Sequence, residues 1–184
     1  MNGSLAKSFC VLLLAFAAGA AADQQDERLA GLFDQLKDAG DPGAARSVET
    51  DIWKIWIESG KSDIDELMSQ GVVAMSSRNF DVALEAFDKI VEQAPGFAEG
   101  WNKRATVYYL RDEMAESMLD IERTLDLEPR HFGALSGMGL IFMEQGDYKG
   151  AIKAYQEVLK IHPQSPSARF HIGRMHKLLY GESL

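Results

Sequence analysis

Residues 82–95, 116–129 and 150–163 read VALEAFDKIVEQAP, ESMLDIERTLDLEP and GAIKAYQEVLKIHP. Each is an amphipathic stretch closed by a proline, and Pro95, Pro129 and Pro163 recur at one constant interval. Proline cannot donate to the preceding helical turn and biases its predecessor away from the α region. Each stretch is therefore predicted to be a helix that ends at its proline. With the prolines placed at position 32, repeat units begin at Ile64, Ala98 and Phe132. Position 4 then holds Leu67, Trp101 and Leu135, position 8 Gly71, Ala105 and Gly139, and position 11 Ala74, Tyr108 and Phe142. Position 20 holds Ala83, Ser117 and Ala151, and position 24 Phe87, Ile121 and Tyr155. Small residues at 8 and 20 let two helices approach closely, while large ones at 4, 11 and 24 fill the space between them. Along each helix the apolar positions recur at three- and four-residue spacing, giving one buried stripe. A single pair cannot bury its own apolar faces, so stability must come from stacking.

A helix–turn–helix unit with this period, about 34 residues, resembles the tetratricopeptide repeat. Residues 64–97, 98–131 and 132–165 look like three tandem copies. The third carries Gly146-Asp147-Tyr148 at its inter-helix turn. Ala74, Arg104, Ser117 and Ile121 depart from the family pattern. The resemblance implies an all-α, right-handed helix–turn–helix solenoid. Pro166–Tyr180 reads as a C-terminal capping helix within a last segment, 166–184, with Ser165 able to cap its start.

Residues 23–61 form a helical extension. Asp26 to Asp38 places Leu29, Leu32, Phe33 and Leu36 on one face, and Asp41-Pro42 opens a second helix running to about Glu58. Stepping the period back puts Trp53 on position 24 but Glu49 on the small position 20, so this is a degenerate repeat-like pair. Trp53 and Trp56 are expected either to pack against the first repeat or to form an exposed aromatic ridge for a partner.

The N-terminal segment 1–22, MNGSLAKSFCVLLLAFAAGAAA, has one cation, Lys7, an apolar run from Phe9 to Ala18, and a small-residue exit. That is the layout of a cleavable export signal, with cleavage after Ala22. The apolar run is shorter than the roughly 20 residues a membrane span needs, so no stable membrane insertion is expected once it is removed. Cys10 leaves with it, and a thiol-free chain suits an oxidising compartment such as a bacterial periplasm.

The chain has 184 residues, with 28 Asp plus Glu against 19 Lys plus Arg and a net charge of −9. This balance argues against nucleic acid as a partner. No nucleophile motif or phosphate-binding loop is present. Gly133, Gly137 and Gly139 fall inside a predicted helix, which fails the context a dinucleotide fingerprint requires. The histidines, His131, His162, His171 and His176, are expected at the surface, and the carboxylates on solvated faces. No catalysis, cofactor or metal is predicted.

The family resemblance implies a concave groove lined by helix A positions 2, 5, 9, 12 and 13. On this chain the expected partner-binding residues are Met68, Val72 and Met75, then Asn102, Thr106 and Tyr109, then Ser136, Leu140 and Met143. Phe170 and Arg174 extend the floor. Methionine adapts to varied apolar surfaces, so an amphipathic helix or extended peptide is the expected ligand class. A Lys, Arg and Asn clamp for a terminal carboxylate is not expected, because Met68 and Val72 occupy its first positions. A competing expectation is that the N-terminal helices fill part of the groove.

Charge is graded: residues 23–60, 61–97, 98–131 and 132–184 carry −5, −4, −3 and +2. Arg169, Arg174 and Lys177 therefore form a candidate second surface for an acidic partner or another copy. The chain is similar to small exported tetratricopeptide proteins of Gram-negative bacteria, which implies a periplasmic adaptor or assembly aid in the cell envelope. The alternative is an obligate structural subunit docked through Trp53 and Trp56.

Overall fold

The structure, a computed structural model, describes residues 24–181. The expected export signal, with Cys10, lies outside the described residues. Within them the chain is helical: α1 (Arg28–Asp38), α2 (Pro42–Trp56), α3 (Ser62–Ser76), α4 (Phe80–Gln93), α5 (Ala98–Leu110), α6 (Met114–Leu127), α7 (Phe132–Glu144), α8 (Tyr148–Ile161) and α9 (Pro166–Tyr180). The pairs α3–α4, α5–α6 and α7–α8 stack in order as a solenoid, and α9 packs on α8.

The pairs close around position 8. A Cβ on Gly71 would lie 2.5 Å from Phe87, and one on Gly139 would lie 2.8 Å from Tyr155. Only hydrogen fits beneath these two buried rings. The second unit closes differently. Ser117 donates its hydroxyl to the Ala105 carbonyl at 2.8 Å, and Arg104 donates to both Asp120 oxygens at 2.7 and 2.8 Å. Arg104 also reaches Asp88 on the preceding pair at 2.8 Å. These polar bonds account for the departures at Arg104 and Ser117.

Each turn within a pair uses one left-handed residue, recurring with the period: Arg78 at φ 58°, Asp112 at φ 65° and Gly146 at φ 76°. Each pair-to-pair junction is held by repeated backbone bonds, from Phe97 N to Ala94 O, His131 N to Glu128 O and Ser165 N to His162 O.

The α1–α2 hairpin does not stack on α3 as a preceding unit would. Together with Gln24, which precedes α1, it lies as a strap across the three junctions. At the first, Gln24 donates to Gly96 O at 2.6 Å and accepts from Ala98 N at 3.3 Å. It thereby caps α5, whose own N-cap, Phe97, has no polar side chain. At the second, Trp56 stacks on His131 with centroids 4.1 Å apart, and the Arg130 guanidinium covers the Phe33 ring at 4.2 Å. At the third, Glu49 faces His162 at 3.6 Å, and Gln164 donates to Ala39 O at 3.3 Å. The strap and the third repeat share one core cluster containing Leu29, Leu36, Ile52, Phe132 and Tyr155.

Two expectations are corrected here. Trp53 and Trp56 pack on the junction of the second and third repeats, neither against the first repeat nor as an exposed ridge; Trp56 is 1% exposed. His131 and His162 are buried rather than solvated, because they are the residues on which the strap rests. Docking of a partner through Trp53 and Trp56 loses its surface with them.

Buried charge completes the second junction. Glu99, 1% exposed, pairs with Lys103 at 2.8 Å and accepts from Asn102 Nδ2 at 2.9 Å. His131 Nδ1 accepts the Ala134 N–H, so its Nε2–H donates to Glu99 at 3.0 Å. Lys103 also lies over the Trp53 ring at 5.3 Å. Burial pushes the Glu99 carboxyl up, but the Lys103 charge and the His131 bond outweigh it and hold it below its ordinary value.

Arg78→Gly should stabilise and Gly146→Ala destabilise, each by about 1 kcal/mol, since an L-residue in the left-handed region costs roughly that much; urea unfolding checks both. Because Glu99 titrates lower when folded, its stabilisation is present above its ordinary value of 4.5 and lost as pH falls through the folded value. Glu99→Gln should cost about 3 kcal/mol at neutral pH and flatten the acid limb of a stability–pH curve.

Candidate partner-binding groove

Helices α3, α5 and α7 present their groove positions side by side, but the three do not contribute equally. In α3, Met68 is 2% exposed and packs with Ile64 and Phe87, while Val72 and Met75 lie half-buried against the same cluster. Met68 is therefore core rather than groove surface. In α5, Asn102 turns its amide onto Glu99 and is 7% exposed. In α7, Met143 is half-buried beside the Tyr155 hydroxyl, 3.9 Å from its sulfur.

Between α5 and α7 the groove deepens into a cavity of about 170 Å³. Five of the expected residues line it: Asn102, Thr106, Tyr109, Ser136 and Leu140. The remaining walls are Ala105, Ser117, Ile121, Gly133 and Gly137. The cavity exists because the second unit lacks a ring at position 24. Where Phe87 and Tyr155 fill their own pairs, the smaller Ile121 leaves room, and Gly137 above it adds no side chain. Trp53 of the strap closes the Gly133 end, where an added Cβ would lie 2.6 Å from the indole. The N-terminal helices thus bound one end of the groove and leave this cavity open.

The chemistry of the wall is set by where its polar groups point. Thr106 donates to Asn102 O at 2.9 Å, Ser117 to Ala105 O at 2.8 Å and Ser136 to Phe132 O at 2.7 Å. Each hydroxyl is satisfied by helix backbone. Burial, with the Glu144 charge nearby, pushes the Tyr109 phenol up, so it stays neutral. The result is an uncharged, largely apolar recess suited to an apolar side chain. Among the described residues no group of three or more His, Cys, Asp or Glu is placed to hold a metal ion.

Gly133 lies at groove position 2, as the period places it, whereas Ala105, Ser117, Ile121 and Gly137 line the cavity from positions outside the expected groove set. Their signal in the sequence is the departure from the repeat pattern at Ser117 and Ile121 and the missing side chain at Gly137. Arg169, Arg174 and Lys177 of the second candidate surface are all exposed, and Arg169 also donates to Pro163 O at 2.7 Å, bracing its own junction.

A family model described as tetratricopeptide repeat matches residues 68–126, and one described as TPR repeat matches residues 139–179. A TPR repeat-containing protein of Rhizobium etli is 36% identical over 161 residues, covering 88% of this chain and 79% of its own length. The small glutamine-rich tetratricopeptide repeat-containing protein 2 of Saccharomyces cerevisiae is 26% identical over 101 residues, 55% of this chain; the match spans only 29% of that protein. Among solved structures, the first TPR of Spaghetti (RPAP3) bound to HSP90 peptide SRMEEVD has a TM-score of 0.61 at 20% identity, covering 64% of this chain and 93% of that one. With its evenly repeated helix pairs, its family matches and its rhizobial relative, the chain belongs to the tetratricopeptide repeat family.

Proposed function

We propose that this chain is a non-catalytic interaction module of the cell envelope, an adaptor or assembly aid that works in the periplasm after losing residues 1–22. Tetratricopeptide repeats typically mediate protein–protein contacts, and a structurally similar repeat domain binds a peptide. The observation that carries the reading for this chain is the cavity between α5 and α7, whose polar side chains are satisfied from within. A partner helix or extended peptide lies along the groove and seats an apolar side chain there. Met68 in the core, Val72 beside it and Asn102 turned to Glu99 support an apolar anchor over a clamped carboxylate.

Photo-crosslinking from Leu140 in living cells, followed by identification of the captured protein, tests this directly. Gly137→Leu, which fills the cavity from a helical position, should reduce capture about tenfold, the equivalent of roughly 1.4 kcal/mol, without lowering helicity. Tyr109→Ala with Met143→Ala should do the same. Capture that is unchanged by both moves the site elsewhere. Cell fractionation and the mass of the purified chain check the location: the periplasmic product is expected to begin at Asp23, and a cytoplasmic, unprocessed product overturns it.

A further inference from the structure

The stack has two ends, and each exposes a face that interior units bury. At the α3 end, Val73 is 64% exposed, whereas its counterparts one, two and three periods later, Val107, Ile141 and Met175, are 0%, 0% and 1% exposed. Glu66 is also exposed, where the later units bury Gly100, Ala134 and Ala168. The strap does not cover this face, because it lies on the junctions instead.

At the other end, Phe170 of α9 is 65% exposed, while at the same place Met68 and Asn102 are 2% and 7% exposed and Ser136 is half-buried. Gly173 continues the series of Gly71 and Gly139, yet a Cβ there would meet nothing within 4 Å. No ring closes over it.

The two faces are opposite in charge. Val73 shares its face with the exposed carboxylates of Asp63 and Glu66, and Phe170 has the exposed Arg174 and Lys177 beside it. Residues 61–97 carry −4 and residues 132–184 carry +2.

We propose that the α3 face of one copy docks on the α9 face of a second copy. Val73 meets Phe170, and Asp63 and Glu66 lie beside Arg174 and Lys177, so copies associate head to tail. Apolar contact supplies the attraction, and the charges set its direction and salt dependence. Because the faces differ, the contact is heterologous and adds further copies unless it closes into a ring. This association goes beyond the cavity between α5 and α7; on α9 it uses the residues that continue the groove positions of Ser136, Leu140 and Met143 past the third repeat.

Sedimentation velocity of the purified protein tests the proposal. The average mass should rise with concentration and fall as salt is added. Val73→Asp and Phe170→Asp, each at an exposed site, should weaken association about tenfold or more, while circular dichroism shows unchanged helicity. Mixed one to one, the two variants should form a dimer that grows no further, since each retains one working face. Glu66→Lys and Lys177→Glu should each weaken association, and the chain carrying both should recover it. A wild-type protein that stays monomeric at all concentrations, association that survives both single-face variants, or a mixture that stays monomeric overturns the proposal. Gly137→Leu should leave self-association unaltered even where it abolishes partner capture, so failure of one reading is distinguishable from failure of the other.

Discussion

A ring seated where a side chain is missing governs this molecule. Phe87 over Gly71 and Tyr155 over Gly139 draw the helices of a pair closer than any Cβ would permit. Close approach in each pair sets the spacing on which the next pair stacks. The variations on that one contact are what give the chain its individual features. Where the ring shrinks to Ile121, the pair is held by Ser117 and Arg104 instead, and a recess opens into the groove. On α9, where no ring among the described residues closes over it, Gly173 is left open.

The second organising feature is the strap. Repeat stacks draw stability from neighbouring units, but here Gln24 with the α1–α2 hairpin that follows it touches all three junctions at once. The strap supplies what the junctions lack. Gln24 caps α5, whose N-cap is the apolar Phe97, Trp56 covers His131, and Glu49 meets His162. Its tryptophans are therefore structural, and Trp53 is also a wall of the groove.

The sequence made the helix pairs legible because their determinants are local. A proline closing every period, a small residue at position 8 and an amphipathic stripe are each readable within one unit. The groove was readable only in part. Thr106, Tyr109, Ser136 and Leu140 fall where the period places them, but Met68 turns into the core and Asn102 turns toward Glu99. The burial of Glu99 and His131 depends on the strap crossing that junction, and no periodicity within residues 23–61 signals where the hairpin will lie. The exposed ends were hidden for the same reason: Val73 reads as an ordinary apolar position until the hairpin is seen not to cover it.

The strap also changes how the chain must fold. Contacts in a stack of repeats are short in sequence, and such arrays can nucleate in one unit and propagate. Here hydrogen bonds join Gln24 to Gly96 across 72 residues and Ala39 to Gln164 across 125. Long closures of this kind carry an entropic cost that is recovered only when distant partners are in place. The strap can dock fully only after the third repeat has formed, and opening the third repeat removes the Phe132, Tyr155 and Gln164 contacts that the hairpin rests on. What would be a series of semi-independent units becomes a single cooperative one, with its last-made residues closing on its first.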